Sequence, residues 1–469
     1  MFHYDLEHLP GRSLYEKLTD SIRRDIRTGV LPADTKLPSK RRCAADLGVS
    51  VVTVQTAYEQ LLAEGYIISR ERKGYFVAPI EHSPTADRCA PPPPTSSPAS
   101  VETDIPVAAE IIDLVQSALS PALFPLSVWT RLSHRVYREE GDNLLRRVPY
   151  NGLAPLREAI AAILYESRGI RTTPDCIVVS AGNEQLYASL LSYFGRRSVF
   201  GVEDPGHRLI ARLYESGGAT VRYLPLDAHG VRPDALEASG ADILHISPAH
   251  HFPTGIVTPV ARRQELLRWA ESRPGRYIIE DDYDSEFRMA GRPIPSLAEL
   301  DTAGRVIYIN TFSKTIAPAL RIAYAVLPPA LAADYREKLG FLACPVTAAE
   351  QLILAAFIRE GYFERHINRM RTRYRALRDN LLAAIARSPR ASRYRVTEAD
   401  SGLHFLLHID TDLSDEALHT AAAENGVRVA CLSDFARQAS VPSGTLVIGY
   451  AALNESEIPT LVRRLDNIG

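Results

Sequence analysis

Cysteine is scarce in this chain, and its few occurrences are scattered. The 469 residues contain five cysteines, and no two of them have the close spacing of metal ligands. They are Cys43, Cys89, Cys176, Cys344 and Cys431. An odd and dispersed set is typical of reduced thiols, so we expect a cytoplasmic protein with no disulfide framework and no bound metal.

Long apolar runs and a strong net charge are also missing. No stretch approaches the roughly 20 apolar residues that a membrane-spanning helix requires. The N-terminal MFHYDLEHLP lacks the basic and then apolar layout of a signal peptide. The net charge is −2, and 46% of the residues are hydrophobic. This composition excludes a polybasic or disordered chain and, at this length, predicts a globular protein of two or three domains without a membrane partner.

One segment shows neither helical nor strand periodicity. Residues 81–108, EHSPTADRCAPPPPTSSPASVETDIPVA, are rich in proline, serine, threonine and alanine. The four consecutive prolines favour an extended polyproline II spacer. We therefore predict a linker between two separately folding parts, residues 12–80 and residues 109–469.

The first part predicts three helices followed by a hairpin. The third helix has an apolar stripe that should face inward, formed by Val51, Val54, Tyr58, Leu61 and Leu62. Its outer face near the N-terminus carries Val52, Thr53, Gln55 and Thr56. In a helix-turn-helix these positions enter the major groove, and the hairpin tip offers Arg70, Arg72 and Lys73 to phosphates or the minor groove. A three-helix protein-interaction module is the alternative interpretation.

The motifs of this part carry a family resemblance. LYEKL, LPSKR, LGVS, AYEQLLAEGYI and the wing glycine Gly74 together resemble the winged helix-turn-helix of the GntR family. The resemblance implies an operator of double-stranded DNA, contacted by Arg41, Ser50, Thr53 and Gln55, with Lys73 from the wing. The family usually has an arginine at the position of Val51, so one strong contact is absent here.

The second part alternates short apolar runs with helical patterns. The strand-like runs are CIVVSAG, SVFGVEDPG, ATVRYLPL, ADILHISPAH, RYIIEDDYD, RVIYINTFSK and RIAYAVLP. They predict an α/β fold with a mostly parallel sheet covered on both faces, followed by a smaller C-terminal α/β domain. Ligands of such sheets gather beyond the carboxyl ends of the strands, where Asp281, Tyr283 and Lys314 lie.

These residue types together suit pyridoxal 5'-phosphate. Lys314, between Ser313 and Thr315, supplies an amine for the aldehyde, and Asp281 an anion for the ring nitrogen. Tyr283 points to the same side of an extended chain as Asp281 and could reach the phenolic oxygen. The phosphate would meet Arg321, the hydroxyls of Thr311 and Ser313, and the N–H groups of Asn183 and Glu184 in SAGNEQ.

Each of these features has an ordinary alternative. The lysine could be a surface lysine, Arg321 could pair with a carboxylate, and EDDYD could be a solvated acidic turn. The ordered set nevertheless resembles the fold type I, aspartate aminotransferase-like enzymes, together with YNGLAPLREAIAAILYESRGI, SPAHHFPTGIVTP and SGLHFLL. With the N-terminal motifs, the whole chain resembles the MocR subfamily of GntR regulators.

The chain departs from the aminotransferase pattern at three places. Phe252 replaces the asparagine that bonds the phenolic oxygen, which leaves Tyr283 to serve that oxygen alone. His207 stands where an aromatic ring stacks on the cofactor, and its charge would depend on pH. Val447 lies near the position of the arginine that grips the substrate carboxylate. The substitutes that the sequence offers are Arg208, Arg212, Arg428 and Arg437, and it does not choose among them.

The resemblance implies a transcription regulator that senses an amine or amino-acid effector through aldimine exchange at Lys314. Fold type I proteins build their sites at a dimer interface, so a head-to-tail homodimer is implied. A DNA-binding protein with genuine transaminase activity is the alternative, with Lys314 moving a proton as the catalytic residue. The absence of a carboxylate arginine argues against efficient turnover. A sensor of the vitamin B6 cofactor itself is the second alternative.

Overall fold

The computed structural model describes Tyr4 and residues 13–70, 73–79, 111–115, 123–287, 295–400 and 402–468. Internal contacts divide the chain into two units, Met1–Pro106 and Val107–Gly469. The predicted linker, Arg72 and Cys89 lie outside the described residues. No helix within the described ranges is both long enough and apolar enough to cross a membrane.

The first unit is a three-helix bundle with a hairpin. Its elements are α1 (Leu14–Arg27), α2 (Lys40–Leu47), α3 (Val51–Ala63), β1 (Ile67–Arg70) and β2 (Gly74–Val77). The strands are antiparallel. Gly48 ends α2 in the left-handed conformation, with φ of 65°, which a residue without a Cβ adopts at little cost. The tight turn into α3 that the sequence predicts is therefore present.

The core of this unit follows the predicted stripe with one exception. Val54, Tyr58 and Leu61 of α3 are almost completely buried against α1, and Leu62 is partly buried against the same core. Val51 is 44% exposed, so its predicted inward position is wrong. Val51 shares the face of Val54, but it is the first residue of α3 and lies one turn before the first buried residue of the helix.

The second unit is built around an eight-stranded sheet. The strand order is β4 (Ile177–Ser180), β11 (Ala323–Val326), β10 (Val306–Thr311), β9 (Tyr277–Asp281), β8 (Ile243–Ile246), β5 (Val199–Asp204), β6 (Thr220–Asp227) and β7 (Gly230–Val231). The strands from β10 to β6 are parallel, whereas β11 and β7 are antiparallel to their neighbours. The predicted mostly parallel sheet is confirmed.

Helices cover both faces of this sheet, because its central strands are buried on both sides. They are α4 (Leu126–Glu140), α5 (Ala154–Arg168), α6 (Asn183–Phe194), α7 (Arg208–Ser216), α8 (Pro233–Ala238), α9 (Val260–Glu271), α10 (Leu297–Leu300), α11 (Pro329–Leu339), α12 (Ala348–Arg359) and α13 (Tyr362–Ala386). The polar residues at the carboxyl ends of β9 and β10 line a cavity instead of packing against these helices, and the candidate site lies there.

A smaller sheet follows α13, as predicted. It contains β12 (Tyr394–Thr397), β13 (His404–Ile409), β16 (Thr445–Gly449) and β15 (Ala430–Cys431) in antiparallel order. The helices α14 (Asp415–Glu424) and α15 (Ile458–Asp466) pack beside it, and β14 (Val427–Arg428) pairs with β3 (Ile112–Asp113). The start of β13 faces the carboxyl ends of the large sheet.

The packing of α3 predicts two opposite effects on stability. Leu61→Ala removes a fully buried side chain and is expected to destabilise the first unit by about 2–5 kcal/mol. Val52 of the same helix is 72% exposed, so Val52→Ala should change the stability of the first unit by less than about 0.5 kcal/mol. Calorimetry of each full-length variant measures the unfolding temperature of the first unit. Equal shifts of that temperature in the two variants would contradict the described packing.

Candidate functional site

The carboxyl ends of the large sheet enclose a cavity of about 270 Å³. Every residue predicted to hold the cofactor lines it: Asn183, Glu184, His207, Asp281, Tyr283, Thr311, Ser313, Lys314 and Arg321. Leu403 and His404 from the start of β13 complete the wall. The residues that the sequence predicts for one site therefore lie around one cavity, and their roles stay predictions.

Lys314 lies in the turn that follows β10. Loss of water around its half-buried amine lowers the pKa of Lys314, and the negative charge of Asp284 partly opposes that shift. A lowered pKa increases the fraction of neutral amine, which is the nucleophilic form. The surface-lysine alternative is inconsistent with this enclosed position.

Asp281 is buried at the end of β9 and has polar neighbours on two sides. The hydroxyl of Tyr187 donates a hydrogen bond to its carboxylate, and Asn183 Nδ2 lies 3.4 Å from Oδ1. His245 Nε2 lies 3.7 Å from Oδ2. Tyr187 and His245 were missed by sequence reasoning. Tyr187 could have been found, because it lies one helical turn after Asn183 on the same face of α6.

The alternation of EDDYD places consecutive side chains on opposite sides. Asp281 and Tyr283 line the same cavity, as predicted. Asp282 points away from it and forms a buried ion pair with Arg168, with 2.9 Å between Asp282 Oδ2 and Arg168 Nη2. The solvated-turn alternative for this segment is therefore wrong.

A glycine turn precedes α6 at the cavity edge. Gly182 has φ of 87°, and a Cβ there would lie 2.4 Å from Arg321 Nη2 and 3.0 Å from Glu184 Oε2. Only glycine leaves room for the Arg321 guanidinium over the helix N-terminus. Arg321 forms an ion pair with the Glu184 carboxylate, and both side chains are half-exposed. The carboxylate-pairing alternative is thus observed, at the position where a phosphate was predicted.

The two hydroxyls predicted to bind phosphate differ in their surroundings. Thr311 Oγ1 accepts a hydrogen bond from the Ser313 N–H at 3.1 Å and donates to the Ile322 carbonyl at 3.3 Å. Its proton is directed to the backbone in this structure, and its donation to a phosphate stays a prediction. Ser313 Oγ is buried and has no hydrogen-bond partner among the described residues.

The aromatic side of the cavity contains His207 and Phe252. His207 Nδ1 accepts a hydrogen bond from the Leu209 N–H at 3.3 Å and so caps α7. Its ring centroid lies 5.5 Å from that of Phe252, which packs edge-to-face on His404. The capping bond fixes the His207 imidazole at the cavity wall, where a stacking ring was predicted.

A buried polar group lies behind Tyr283 and was not predicted. Tyr283 Oη is 3.3 Å from His250 Nδ1, and the same nitrogen is 2.9 Å from Asp284 Oδ2. His250, Asp284 and His404 offer ligand atoms within 4.8 Å of one another. However, His250 Nδ1 is engaged with Asp284, and His404 Nε2 donates to the Pro253 carbonyl at 3.1 Å. These hydrogen bonds favour a polar network over a metal centre.

Three of the four candidate arginines lie beside a second cavity of about 390 Å³. Arg208, Arg212 and Arg437 line it, and it shares His207 and Phe252 with the first cavity. Burial raises the pKa of Glu203, which also lines it, to about 8, so this group is mostly uncharged at neutral pH. Asp204 and Glu215 also line this cavity, so its three arginines face two further carboxyl groups.

The remaining arginine position is different. Arg428 is 60% exposed and pairs with Asp113 across β14 and β3, with 3.1 Å between Arg428 Nη1 and Asp113 Oδ2.

The segment that contains Arg437 is fixed by Asp204, whose carboxylate accepts the N–H groups of residues 437, 438 and 439 at 2.7–2.8 Å. Val447 is buried between Leu406 and Ala430 in the small sheet.

The predicted DNA contacts of the first unit are exposed, except Thr53, which is partly buried. Arg41 is exposed in the first turn of α2, and Lys73 is exposed at the hairpin tip. Ser50 Oγ caps α3 by accepting the Thr53 N–H at 3.1 Å, and it bonds Thr53 Oγ1 at 2.8 Å. Gln55 Nε2 donates to Glu59 Oε1 at 2.8 Å. These polar groups are in place on the outer face of α3, and their contacts with DNA stay predictions.

Family models match both units of the chain. The model described as bacterial regulatory proteins, gntR family, matches residues 14–77. The model for aminotransferase class I and II matches residues 111–465. The regulator YhdI of Bacillus subtilis is 36% identical over 96% of this chain and 95% of its own length. The probable rhizopine catabolism regulatory protein MocR of Rhizobium meliloti is 35% identical over 94% of this chain and 90% of its own.

A solved aminotransferase supports the fold of the second unit. LysN, the α-aminoadipate aminotransferase of Thermus thermophilus, has a TM-score of 0.66 and 28% identity, covering 76% of this chain and 91% of its own. Its structure contains N-(5'-phosphopyridoxyl)-L-leucine. The chain therefore belongs to the MocR subfamily of GntR-type transcriptional regulators, in which a helix-turn-helix domain is fused to an aminotransferase-like domain.

Proposed function

We propose that this regulator holds pyridoxal 5'-phosphate on Lys314 and changes its DNA binding in response to a small amine or amino acid. The observation that carries the proposal is the cavity in which Lys314, Asp281 and Arg321 meet. Bound pyridoxal 5'-phosphate supplies an aldehyde that can pass from the lysine amine to the amine of another molecule.

The residues of the cavity suit this cofactor in charge and in shape. Ser313 Oγ is a buried hydroxyl in need of an acceptor, and the Gly182 turn exposes the N-terminus of α6 to an anion. Arg321 would exchange Glu184 for a phosphate, which is a stronger bidentate partner. Asp281 would balance a protonated ring nitrogen, held in place by Tyr187 and Asn183.

Lys314 has the properties that amine exchange requires. Its lowered pKa increases the fraction of neutral amine, and Asp284 can stabilise the ammonium form when the amine is released. Effector binding would then change contacts at Leu403 and His404, at the start of β13. A ligand shifts a conformational equilibrium only through different affinities for the two states, and β13 is the element that would differ.

The effector class follows from the two cavities. An apolar wall is formed by Leu209, Ile210 and Leu403 in the first cavity. An acidic group could reach Arg437, Arg208 or Arg212 through the space beside His207 and Phe252. We therefore propose an effector with an amine, a short apolar chain and a carboxylate.

A head-to-tail homodimer reading two operator half-sites completes the proposal. Leu145 and Phe341 of the second unit are 85% and 71% exposed, and Arg147 donates to the Phe341 carbonyl. Large apolar side chains at one surface are typical of an interface between subunits. The protein would reside in the cytoplasm with its operator.

A panel of amines distinguishes regulation from catalysis. Purified protein is incubated with amino acids or polyamines, and keto acids are measured. Stoichiometric spectral change without keto acid release supports the regulator. Sustained keto acid release would instead support a DNA-binding transaminase, and operator affinity that follows the cofactor without any amine would support a vitamin B6 sensor.

Lys314→Ala is expected to abolish the visible absorbance of cofactor-loaded protein, because the described residues that line the cavity include no other lysine. Lys338→Ala, a surface lysine that pairs with Asp334, should retain it. Circular dichroism checks that both variants fold. An unchanged spectrum of Lys314→Ala would refute the site.

Arg41→Ala should weaken operator binding, since the substitution removes an exposed cation from the first turn of α2. If Arg41 contacts one phosphate in each DNA-binding unit, the slope of log affinity against log salt falls by about 0.9 per unit. Fluorescence anisotropy over a salt series measures both quantities. Unaltered affinity at moderate salt removes Arg41 from the contacts.

Arg437→Ala is expected to reduce the affinity for amino acids by about ten- to a hundredfold, because a charge-assisted hydrogen bond to a carboxylate contributes roughly 1.5–3 kcal/mol. The response to putrescine, which has no carboxylate, should not change. Arg428→Ala serves as the matched control, since its guanidinium pairs with Asp113. Spectral titration tests this pair, and identical responses of the two variants would contradict the assignment.

A further inference from the structure

We infer that His250 and Asp284 are positioning residues that direct the hydroxyl proton of Tyr283 into the cofactor cavity. This inference rests on the proposed function, and on the expectation from the sequence that Tyr283 alone serves the phenolic oxygen of the cofactor. It adds two residues that come from separate segments of the chain, SPAHHFPTG and EDDYD. His250 has no other proposed role, whereas the charge of Asp284 also acts on Lys314.

The geometry has one nitrogen between two oxygens. His250 Nδ1 lies 2.9 Å from Asp284 Oδ2 and 3.3 Å from Tyr283 Oη. His250 and Asp284 are each 3% exposed. At the short distance the carboxylate is the acceptor, so Nδ1 must carry the hydrogen. Asp284 thereby fixes the tautomer of His250.

The tautomer determines which way Tyr283 donates. Because Nδ1 carries a hydrogen directed to Asp284, it offers Tyr283 no lone pair and can only donate weakly to its oxygen. The hydroxyl proton of Tyr283 must then point elsewhere, and this side chain lines the cavity that contains Lys314. Burial, together with the charges of Asp284 and Asp281, raises the pKa of Tyr283 well above its usual range, so the proton is retained.

The small sheet encloses the histidine and the aspartate. Gly402 has φ of 66°, and a Cβ there would lie 2.0 Å from His250 Cε1 and 2.5 Å from Asp284 Oδ2. The Tyr450 hydroxyl fixes this backbone by donating to the Gly402 carbonyl at 2.6 Å. The His404 ring, 4.4 Å from that of His250 between centroids, covers the other side. The pair is therefore held rigidly, as a positioning role requires.

Two substitutions at one position separate positioning from packing. His250→Asn keeps an amide N–H close to the place of Nδ1, whereas His250→Gln moves its amide toward the place of Nε2. Asp284 is less informative, because its charge also acts directly on Lys314. Tyr283→Phe removes the hydroxyl itself and serves as the reference.

The first measurement is a pH titration of the visible absorbance of cofactor-loaded protein. A hydrogen bond donated to a phenolic oxygen favours its deprotonated form, so loss of the bond raises the midpoint. We expect His250→Gln to raise the midpoint by about one pH unit, the size of one hydrogen bond. His250→Asn should retain most of the wild-type value. In the Tyr283→Phe background, His250→Gln should add no further shift.

The second measurement uses protein without cofactor. Nitrogen-15 spectra of labelled histidine identify the tautomer, and His250 is assigned by comparison with His250→Asn. A neutral ring protonated at Nδ1 supports the inference whether or not cofactor binds. Protonation at Nε2 alone, an unshifted midpoint in His250→Gln, or additive shifts in the double variant would each overturn it. Failure of the protein to take up cofactor would reject the proposed function, and the tautomer would still decide this inference.

Discussion

The second unit depends on placing one amine among carboxylates at the carboxyl ends of parallel strands. Partial burial withdraws water from Lys314 and lowers its pKa, while Asp284 opposes the shift. Asp281 ends the adjacent strand and is held by Tyr187 and Asn183. Charges at this depth interact more strongly than at the surface. Much of the surrounding structure, including the Gly182 turn, fixes these groups in position.

The start of the small sheet also contributes residues to this site. Gly402 lies against the His250–Asp284 pair, and Leu403 and His404 line the cavity. Asp204 at the end of β5 binds the backbone of residues 437–439 through three hydrogen bonds. An occupant of the cavity therefore contacts elements of both sheets. This arrangement gives a physical route from ligand contacts to the small sheet, which the proposed regulation would require.

The fold and most of the cavity could be predicted because both depend on local pattern. Buried parallel strands read as continuous apolar runs, and the ligand edge follows from the ends of those strands. The contacts of Asp281 with His245, and of His250 with Asp284, join segments distant in sequence, and no spacing rule reveals them. The predicted burial of Val51 is wrong because the buried stripe begins only at Val54, the fourth residue of α3. The ion pair of Arg321 with Glu184 joins residues 137 positions apart and could not be predicted from the sequence.

One titration tests most directly the claim that a single cavity controls DNA binding. Cofactor-loaded full chain is mixed with labelled operator, and an amino acid is added while the visible absorbance and the operator anisotropy are recorded in the same sample. Our account predicts that both signals change with the same midpoint, and that Lys314→Ala shows neither change. Operator affinity that stays constant while the absorbance changes fully would contradict it.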